Sequence, residues 1–342
     1  MYNIIIDILG HAPHLKYVIK NSLYFTFTKD SYLQYPTGHY TSIELDNKFN
    51  INFNNEFITI NNKNFFDNMF FIIPVLSCKY QHQGDKYLKM LIEFKNIYNN
   101  FINKIKGKVI LIDNHGGDYE PTPYLKKLDF KYDIILKRIY SNRNKNKYLI
   151  NTFSYPFIMD TNNDPLYKLC NLPTLSNNIS DKINNIFWAG SLFNYHEEWD
   201  NNNTFEHADR IKIVNGFNNK YPNILDIKRV PYNLFHKTIC KYKYALDIRG
   251  TSRLNKRFFE ILSTNTLILA EKIDIIWPFE NNDGFSEECF FEKDNPQDLY
   301  RIYNTFEKDN ELYKKCLENQ LYIAKKYFNN ELIWNYIENI IK

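Results

Sequence analysis

The stretch Cys240–Glu271 reads CKYKYALDIRGTSRLNKRFFEILSTNTLILAE, and it decides the fold class. Tyr244–Ile248 is apolar enough for a buried strand, Leu254–Ser263 has the periodicity of an amphipathic helix, and Thr266–Glu271 is a second apolar run. A strand, a helix and another strand in this order are typical of a parallel α/β unit. Open sheets of this kind bind ligands just beyond the carboxyl ends of their strands. In this chain that position carries arginine, glycine and serine residues.

Working outward, the rest of the chain repeats the same alternation of apolar strands and amphipathic helices. Continuous apolar runs are typical of strands that are covered on both faces. Strands are predicted at Asn3–Ile8, Phe70–Leu76, Val109–Asp113, Tyr132–Leu136 and Ile186–Gly190, and helices at 86–105, Phe205–Phe217, Pro231–Tyr242, Leu312–Tyr327 and Glu331–Ile341. The segment 42–66 alternates apolar and polar residues instead, which predicts a hairpin added to the first domain.

A segment rich in Asn, Pro, Ser and Asp interrupts this alternation at residues 162–182. Such a composition without periodicity is typical of a linker. We therefore predict two α/β domains, each a doubly wound parallel sheet, over residues 1–161 and 183–342. The helices at the end of the chain belong to the second domain.

The composition excludes several classes of protein. The 342 residues carry 43 Lys and Arg against 39 Asp and Glu, a net charge of +4 without a long basic run, so a nucleic acid is not favoured as partner. Five scattered cysteines without a Cys/His cluster indicate neither a zinc site nor a disulfide framework. No segment reaches the roughly 18 apolar residues of a membrane span, and the short N-terminal apolar run lacks a basic leader. We therefore expect a cytoplasmic protein.

The turn and helix start after Tyr244–Ile248 have the chemistry to hold a diphosphate. Arginine pairs two phosphate oxygens through its planar fork, a glycine lets the backbone approach closely, and a serine can cap a helix whose amino end favours anions. Glu260 lies three residues beyond the last of these arginines and could accept both hydroxyls of a ribose. The alternative is a solvated helix start with ordinary ion pairs. The predicted diphosphate residues are Arg249, Gly250, Ser252, Arg253 and Arg257.

A second polar constellation, IDNHGGDYEP at Ile112–Pro121, follows directly on a predicted strand. A carboxylate or an imidazole placed there could act as a general base. We predict Asp118 as the first candidate base and His115 as the second. The alternative is a polar turn whose side chains satisfy backbone donors.

Three further residues are predicted as additional contacts. Lys137 and Arg138 stand at a strand end and could reach phosphate across a cleft, unless they form a solvated strand terminus. His11 follows the first strand and could line the acceptor side, unless it is a structural histidine. The aromatics of Trp277-Pro278-Phe279 could pack on the ligand or in the core.

The quoted stretch resembles the signature of glycosyltransferase family 90, which includes protein O-glucosyltransferases and capsule-associated xylosyltransferases. The similarity lies in CKYKYALDIRG, the Ser and Arg that follow, and LSTNTLIL, while RFFEIL resembles the Arg-x-x-Glu helix of GT-B donor domains. FWAGS at Phe187–Ser191 is similar to the family's F-x-R-G-S strand end, with Ala189 in place of its arginine. Asp118-Tyr119 resembles the family's Asp-Tyr-Pro, whose Asp is the proposed base. The match covers roughly residues 185–340.

The resemblance implies the GT-B architecture, in which two doubly wound Rossmann-like domains face a cleft and C-terminal helices close the fold. It implies transfer of a glucose- or xylose-class sugar from a UDP-sugar to a hydroxyl of a glycan, polysaccharide or protein, with inversion. It adds Gly190 and Ser191 to the donor contacts, and Arg210 or Arg229 could replace the missing arginine. No Asp-x-Asp motif occurs, so no metal and no cofactor beyond the nucleotide sugar are expected.

Two alternatives to this enzyme stay open at the level of sequence. One is a non-catalytic nucleotide- or sugar-binding protein on the same fold, and the other is a GT-B-like phosphorylase or epimerase. The frequent Asn, Lys and Ile have AT-rich codons, which suits a viral or a bacterial genome. A viral origin would place the protein in the host cytoplasm.

Overall fold

The structure is a computed structural model of the 342-residue chain. It describes residues 2–7, 15–25, 65–73, 95, 98–99, 101–113, 131–143, 145–147, 151–156, 181–190, 210–249, 254, 256–280 and 283–342. The strands within these residues form two fully parallel sheets, as predicted for doubly wound domains.

The first sheet has six described strands in the order β2-β1-β3-β4-β5-β6. Its central strands are buried along their whole length, which explains why they read as continuous apolar runs in the sequence. A four-residue helix, α1 (Leu15–Val18), connects the first two strands. The strands are β1 (Asn3–Ile6), β2 (Ser22–Phe25), β3 (Met69–Ile73), β4 (Val109–Asp113), β5 (Ile134–Lys137) and β6 (Thr152–Ser154).

The second sheet has five described strands in the order β11-β10-β9-β7-β8. All six residues of β9 and all five of β10 are buried between helices. Its strands are β7 (Ile183–Trp188), β8 (Leu225–Ile227), β9 (Tyr242–Asp247), β10 (Leu267–Glu271) and β11 (Phe290–Phe291), and its helices are α2 (Arg210–Lys220), α3 (Tyr232–Ile239) and α4 (Lys256–Leu262).

Three helices complete the chain, namely α5 (Pro296–Lys308), α6 (Asn310–Tyr327) and α7 (Asn330–Ile341). Each begins after a side chain that accepts a backbone N–H of the first turn: Asn295, Asp309 and Asn329. These caps satisfy amides that would otherwise lack a partner, so they set where each helix begins.

Both sheets place their first strand between the second and the third strands in chain order. The winding direction therefore reverses between β1 and β3 in the first sheet, and between β7 and β9 in the second. In open α/β sheets such a reversal leaves a crevice at the carboxyl ends of the two strands, where ligands bind. The fold thus marks two edges at which binding residues are expected.

The last helix of the chain packs on the first sheet. In α7 the ring of Trp334 lies 6.4 Å from that of Phe70 in β3, and the Tyr336 hydroxyl donates to the Ser154 carbonyl of β6 at 2.7 Å. After the second sheet the chain therefore returns to the first sheet, where α7 closes the fold as predicted.

A second connection runs between loops of the two sheets. The Ile276 amide donates to the Tyr140 carbonyl at 2.7 Å, and the Asp274 carboxylate accepts the amides of Asn142 and Arg143 at 3.1 and 3.2 Å. These bonds link the segment after β10 in the second sheet to the segment after β5 in the first sheet.

Within the described residues, the predicted helices and strands occur in the structure, but one helix was predicted too long and several strands were not predicted. The helix predicted at Pro231–Tyr242 ends at Ile239, because Tyr242 already begins β9. The short strands β2, β6, β8 and β11 were not predicted. Residues 42–64 of the hairpin predicted at 42–66 and residues 162–180 of the linker predicted at 162–182 lie outside the described residues, so both stay predictions, as do the domain boundaries.

Candidate functional site

Three arginines lie at the reversal point between β7 and β9. Arg210, the first residue of α2, donates through Nε to the Arg249 carbonyl at 2.8 Å and through Nη2 to the Ile248 carbonyl at 3.3 Å. Arg257 of α4 donates through Nη2 to the Ala189 carbonyl, just after β7, at 3.3 Å. The sequence predicted Arg249 and Arg257 here. It also gave Arg210 as a residue that could replace the arginine for which Ala189 stands in FWAGS. The structure brings all three together.

Arg249 is held by acidic side chains on two neighbouring segments. Its amide and its Nε donate to Glu271 Oε2 at 3.1 and 2.8 Å, and its Nη2 lies 3.3 Å from Asp294 Oδ1. Only 3% of the Arg249 side chain and 1% of the Glu271 side chain are exposed. The buried guanidinium is therefore charge-compensated within the protein, which is the condition for burying an ion.

Glu271 and Asp294 are members of this site that the sequence reading missed. Glu271 is the last residue of β10, and its Oε1 also accepts the Asp294 amide at 3.2 Å. Asp294 has a φ of 55°, in the left-handed region that most side chains avoid. A carboxylate that ends the apolar run LILAE was the available signal, because a charge at the carboxyl end of a central strand lies at the ligand edge.

Arg257 of α4 is more accessible than Glu260 of the same helix. Its guanidinium carbon lies 3.8 Å from the ring centroid of Phe235, and its Nε lies 3.5 Å from Glu260 Oε2. The side chain of Arg257 is 28% exposed, whereas that of Glu260 is 5% exposed. Stacking on the ring fixes the plane of the guanidinium, so its orientation is set before any ligand arrives.

The electrostatics of the cluster favour an anionic ligand. Burial lowers the pKa of Arg210, Asp247 acts against that shift, and the like charge of Arg257 lowers the pKa further. Two guanidinium groups at one strand edge repel each other, and an anion between them would reduce that repulsion. Chemically, the edge can hold a phosphate through charge-assisted hydrogen bonds.

Gly190 lies at the same edge, and its lack of a side chain is required there by packing. A Cβ on Gly190 would lie 2.5 and 2.8 Å from two atoms of the Trp188 ring. Gly190 therefore lets the backbone after β7 pass directly over the indole. The other predicted residues of this edge, Ser191, Gly250, Ser252 and Arg253, lie outside the described residues.

At the first sheet, Lys137 forms a buried ion pair instead of reaching a solvated strand end. Lys137 Nζ lies 2.8 Å from Asp113 Oδ2, the two residues face each other across β5 and β4, and their side chains are 0% and 1% exposed. The alternative of a solvated terminus is therefore wrong for Lys137. In this structure its amine contacts Asp113.

Arg138 is the residue of this pair that reaches toward the other sheet. Its Nη2 donates to the Leu254 carbonyl, just before α4, at 2.6 Å. The candidate bases Asp118 and His115, and also His11, lie outside the described residues. Asp7, which the sequence reading missed, follows β1 at the reversal point of the first sheet and is buried.

The aromatic residues after β10 pack in the core. The Trp277 ring stacks on Phe258 and Phe279, with centroids 5.7 and 5.3 Å apart, and it also contacts Phe285 and Phe328. Of the two roles considered for Trp277 and Phe279, the structure shows core packing.

Side chains of CKYKY, at residues 240–244, contact the elements on both sides of β9. The Tyr242 hydroxyl contacts Asp226, while Lys243 Nζ and the Tyr244 hydroxyl both contact Glu307 of α5, at 2.8 and 2.7 Å. These side chains join β9 to elements on its two sides, so their role in the described structure is to position the strand that carries Arg249.

Two classes of feature do not occur in the described part of the chain. No group of three or more His, Cys, Asp or Glu side chains there is placed to hold a metal ion. None of the helices described combines the length and hydrophobicity needed to cross a membrane.

Comparison with solved structures identifies glycosyltransferases. A glycosyltransferase from Rickettsia africae ESF-5 is 12% identical, with a TM-score of 0.54 over 100% of this chain and 98% of that chain. T4 phage BGT in complex with UDP and Mn²⁺ is 13% identical, with a TM-score of 0.47 over 100% of both chains. Anabaena HepE in complex with UDP-glucose is 11% identical, with a TM-score of 0.48 over 99% of this chain and 98% of that one.

In comparisons of sequence, no protein-family model and no curated protein matches the chain. The fold conclusion rests on the Rickettsia structure and on the two parallel sheets with their closing helix. At 12% identity this similarity shows the fold alone. The chain therefore has the predicted α/β GT-B architecture.

Proposed function

We propose that this protein is a glycosyltransferase that moves a sugar of the glucose or xylose class from a UDP-sugar to a hydroxyl acceptor, as its resemblance to family 90 suggests. The observation that carries the proposal is the cluster of Arg210, Arg249 and Arg257 at the reversal point of the second sheet. An α/β sheet binds its ligand at that point, and guanidinium groups there can donate charge-assisted hydrogen bonds to phosphate oxygens.

The donor diphosphate lies in this proposal between Arg210 and Arg257, with Ser252 and Arg253 as further contacts. Arg249 contributes through Nη2, which exchanges its 3.3 Å contact with Asp294 for a phosphate oxygen while Nε keeps the shorter bond to Glu271. The backbone at Gly190, Ser191 and Gly250 borders the donor. Glu260 accepts the ribose hydroxyls.

The acceptor side is assigned to the first sheet. Asp118, or His115 as the second candidate, takes the proton from the acceptor hydroxyl as its oxygen attacks the anomeric carbon. The bond from that carbon to the UDP oxygen breaks on the opposite face, so the configuration inverts. Negative charge that develops on the departing UDP is stabilised by the arginines, without a metal in this proposal. His11, Lys137 and Arg138 remain candidates for secondary roles.

The acceptor is proposed to be a glycan, a polysaccharide or a protein, and the compartment the cytoplasm. We place the donor domain at residues 183–342 and the acceptor domain at 1–161. The net charge of +4 disfavours a nucleic-acid acceptor. If the acceptor were a nucleic acid, its binding would weaken steeply as the salt concentration rises.

The donor site is tested by the melting temperature of the protein with UDP, GDP, TDP or CMP and their sugar conjugates, with magnesium or with EDTA. A ligand that binds only the folded chain raises the melting temperature by mass action. We expect a shift with uridine nucleotides that persists in EDTA. A charge-assisted contact contributes about 1.5–3 kcal/mol, so Arg257→Ala should weaken UDP binding about 10- to 150-fold.

Arg301→Ala is the matched control, because Arg301 also pairs with an acid three residues away, Asp298, but is 66% exposed in α5. It should leave the UDP-induced shift unchanged. Each variant is compared with its own ligand-free melting temperature, which separates folding from binding. A shift of equal size in Arg257→Ala and in wild type would contradict the proposed site.

Turnover distinguishes the enzyme from the alternatives. Asp118→Asn should abolish sugar transfer and leave the UDP-induced shift intact, with His115→Gln as the parallel test of the second candidate. If both variants transferred sugar at the wild-type rate, the assignment of Asp118 or His115 as the base would be contradicted. Released sugar phosphate would indicate a phosphorylase, and an isomerised donor an epimerase.

A further inference from the structure

Two free cysteines, one directly before β11 and one in α6, lie within hydrogen-bonding distance of each other, outside the proposed donor site. Cys289 ends the 3-10 helix Glu287–Cys289, and Cys316 lies in α6. Both are free thiols, with 3% and 2% of the residue exposed. The proposed function uses neither of them.

Hydrogen bonds hold the two segments in this arrangement. The amide and the hydroxyl of Ser286 both donate to Asn319 Oδ1, at 3.0 and 3.1 Å, and Asn319 Nδ2 donates to the Gly284 carbonyl at 3.1 Å. Asn319 stands three residues after Cys316 and so lies on the same face of α6. The segment before Cys289 is therefore fastened to the face of α6 that carries Cys316.

The two thiols differ in acidity. Hydrogen bonding to Cys316, together with burial, raises the pKa of Cys289. The hydrogen bond from Cys289 lowers the pKa of Cys316, and burial opposes that effect. The hydrogen bond between the two thiols therefore favours the thiolate on Cys316, with Cys289 as the proton donor.

We propose that Cys289 and Cys316 form an oxidation site, at which hydrogen peroxide converts the two thiols into an intramolecular disulfide. The Cys316 thiolate attacks one peroxide oxygen and releases hydroxide, which leaves a sulfenic acid on Cys316. The Cys289 sulfur then attacks that sulfenic sulfur, and the hydroxyl leaves with the Cys289 proton as water. Two thiols and one peroxide thus become one disulfide and two waters. A small oxidant suits sulfurs that are this deeply buried.

The position of the pair connects it to the arginine cluster. Cys289 is followed directly by β11, which pairs with Ala270 and Glu271 of β10. Asp294, a few residues further, contacts Arg249. A disulfide would tie the start of this segment covalently to α6, so oxidation stiffens the support of the cluster. The inference does not depend on the proposed glycosyl transfer.

The test uses the full-length reduced protein and limited hydrogen peroxide, followed by alkylation, trypsin digestion and mass spectrometry. Trypsin places Cys289 in the peptide Ile273–Lys293 and Cys316 in the peptide Cys316–Lys325. We expect these two peptides to become cross-linked, and the link to disappear after dithiothreitol. The oxidised protein should melt several degrees higher, because the bridge restricts the unfolded chain.

Two serine variants provide the comparison. Cys316→Ser should abolish the cross-link, and Cys240→Ser, which changes a free cysteine elsewhere in the same half of the chain, should leave its yield unchanged. The inference fails if Cys289 and Cys316 are recovered as separate alkylated peptides under peroxide that oxidises Cys240. It also fails if either sulfur is recovered mainly as a sulfinic acid, because that product shows that the neighbouring thiol does not trap the sulfenic acid.

Discussion

Replacing Glu271 by Gln tests whether the buried acid at the end of β10 holds the arginine cluster together. The Glu271 carboxylate is 1% exposed and accepts the Arg249 Nε at 2.8 Å, the Arg249 amide at 3.1 Å and the Asp294 amide at 3.2 Å. Removing one partner of a buried pair costs about 3–5 kcal/mol, because the remaining charge is left without compensation. Asp294 still lies 3.3 Å from Arg249, so we expect the lower end, about 3 kcal/mol.

The assay is thermal unfolding of the full chain, followed by tryptophan fluorescence and by calorimetry. A unit of the size of the second domain shifts by about 2–4 °C per kcal/mol, so Glu271→Gln should melt about 6–12 °C lower. The matched control is Glu292→Gln, because Glu292 follows β11, the strand paired with β10, but pairs with Lys272 at the surface, with 58% of its side chain exposed. Such a pair contributes about 0–1 kcal/mol, so the control should shift by little.

A double-mutant cycle separates the pair from other effects of the substitution. Arg249→Met combined with Glu271→Gln should recover part of the loss seen in Glu271→Gln alone, because no buried charge is then left unpaired. The reasoning is refuted if Glu271→Gln melts within about 1 °C of the Glu292→Gln control, or if the two changes are simply additive.

Three further predictions follow from single contacts. Asp113→Asn should lower the free energy of unfolding by about 3 kcal/mol because it leaves the buried Lys137 amine uncompensated, and addition of Lys137→Met should restore most of it, as measured by urea midpoints. Burial lowers the pKa of Lys182 to about 8, below its value in the unfolded chain. Above pH 8 the unfolded chain therefore binds more protons than the folded one, so wild type should gain stability relative to Lys182→Met as the pH rises from 8 to 9.5. Parallel curves of unfolding free energy against pH for the two proteins would contradict this. Asn329→Ala removes the cap that accepts the Leu332 amide at 2.9 Å, and it should cost about 1 kcal/mol in the same assay, whereas Asn329→Asp should cost much less.

Element type was predictable wherever a strand or helix buries a whole face. The strands β1, β3, β4, β9 and β10 are recognisable because their apolar runs are covered on both sides. The edge strands β2, β8 and β11 were missed because two to four residues carry too little periodicity. The helix predicted through Tyr242 ran too far because KYKY fits a helical pattern as well as a strand, and the pairing of Tyr242 with Ile183 of β7 places Tyr242 in the strand.

The candidate site divides in the same way. Arg249, Arg257 and Glu260 were predicted from local chemistry, because they follow a recognisable strand and begin a recognisable helix. Glu271 and Asp294 were missed because their partner, Arg249, lies 22 and 45 residues away in the chain. A sequence scanned in short windows contains no sign of such a contact.

Taken by itself, the sequence determined that this chain forms parallel α/β sheets, that Arg249 follows a central strand of the second sheet, and that its last segments are helical. Those properties depend on residues that are neighbours along the chain, where hydrophobic period and capping residues act directly. Only the tertiary structure decided that Lys137 is buried against Asp113, that Arg210 joins Arg249 and Arg257, and that Glu271 compensates a buried guanidinium. These pairings depend on strand order, and it is the crossing of the chain between β7, β8 and β9 that brings distant charges to one edge.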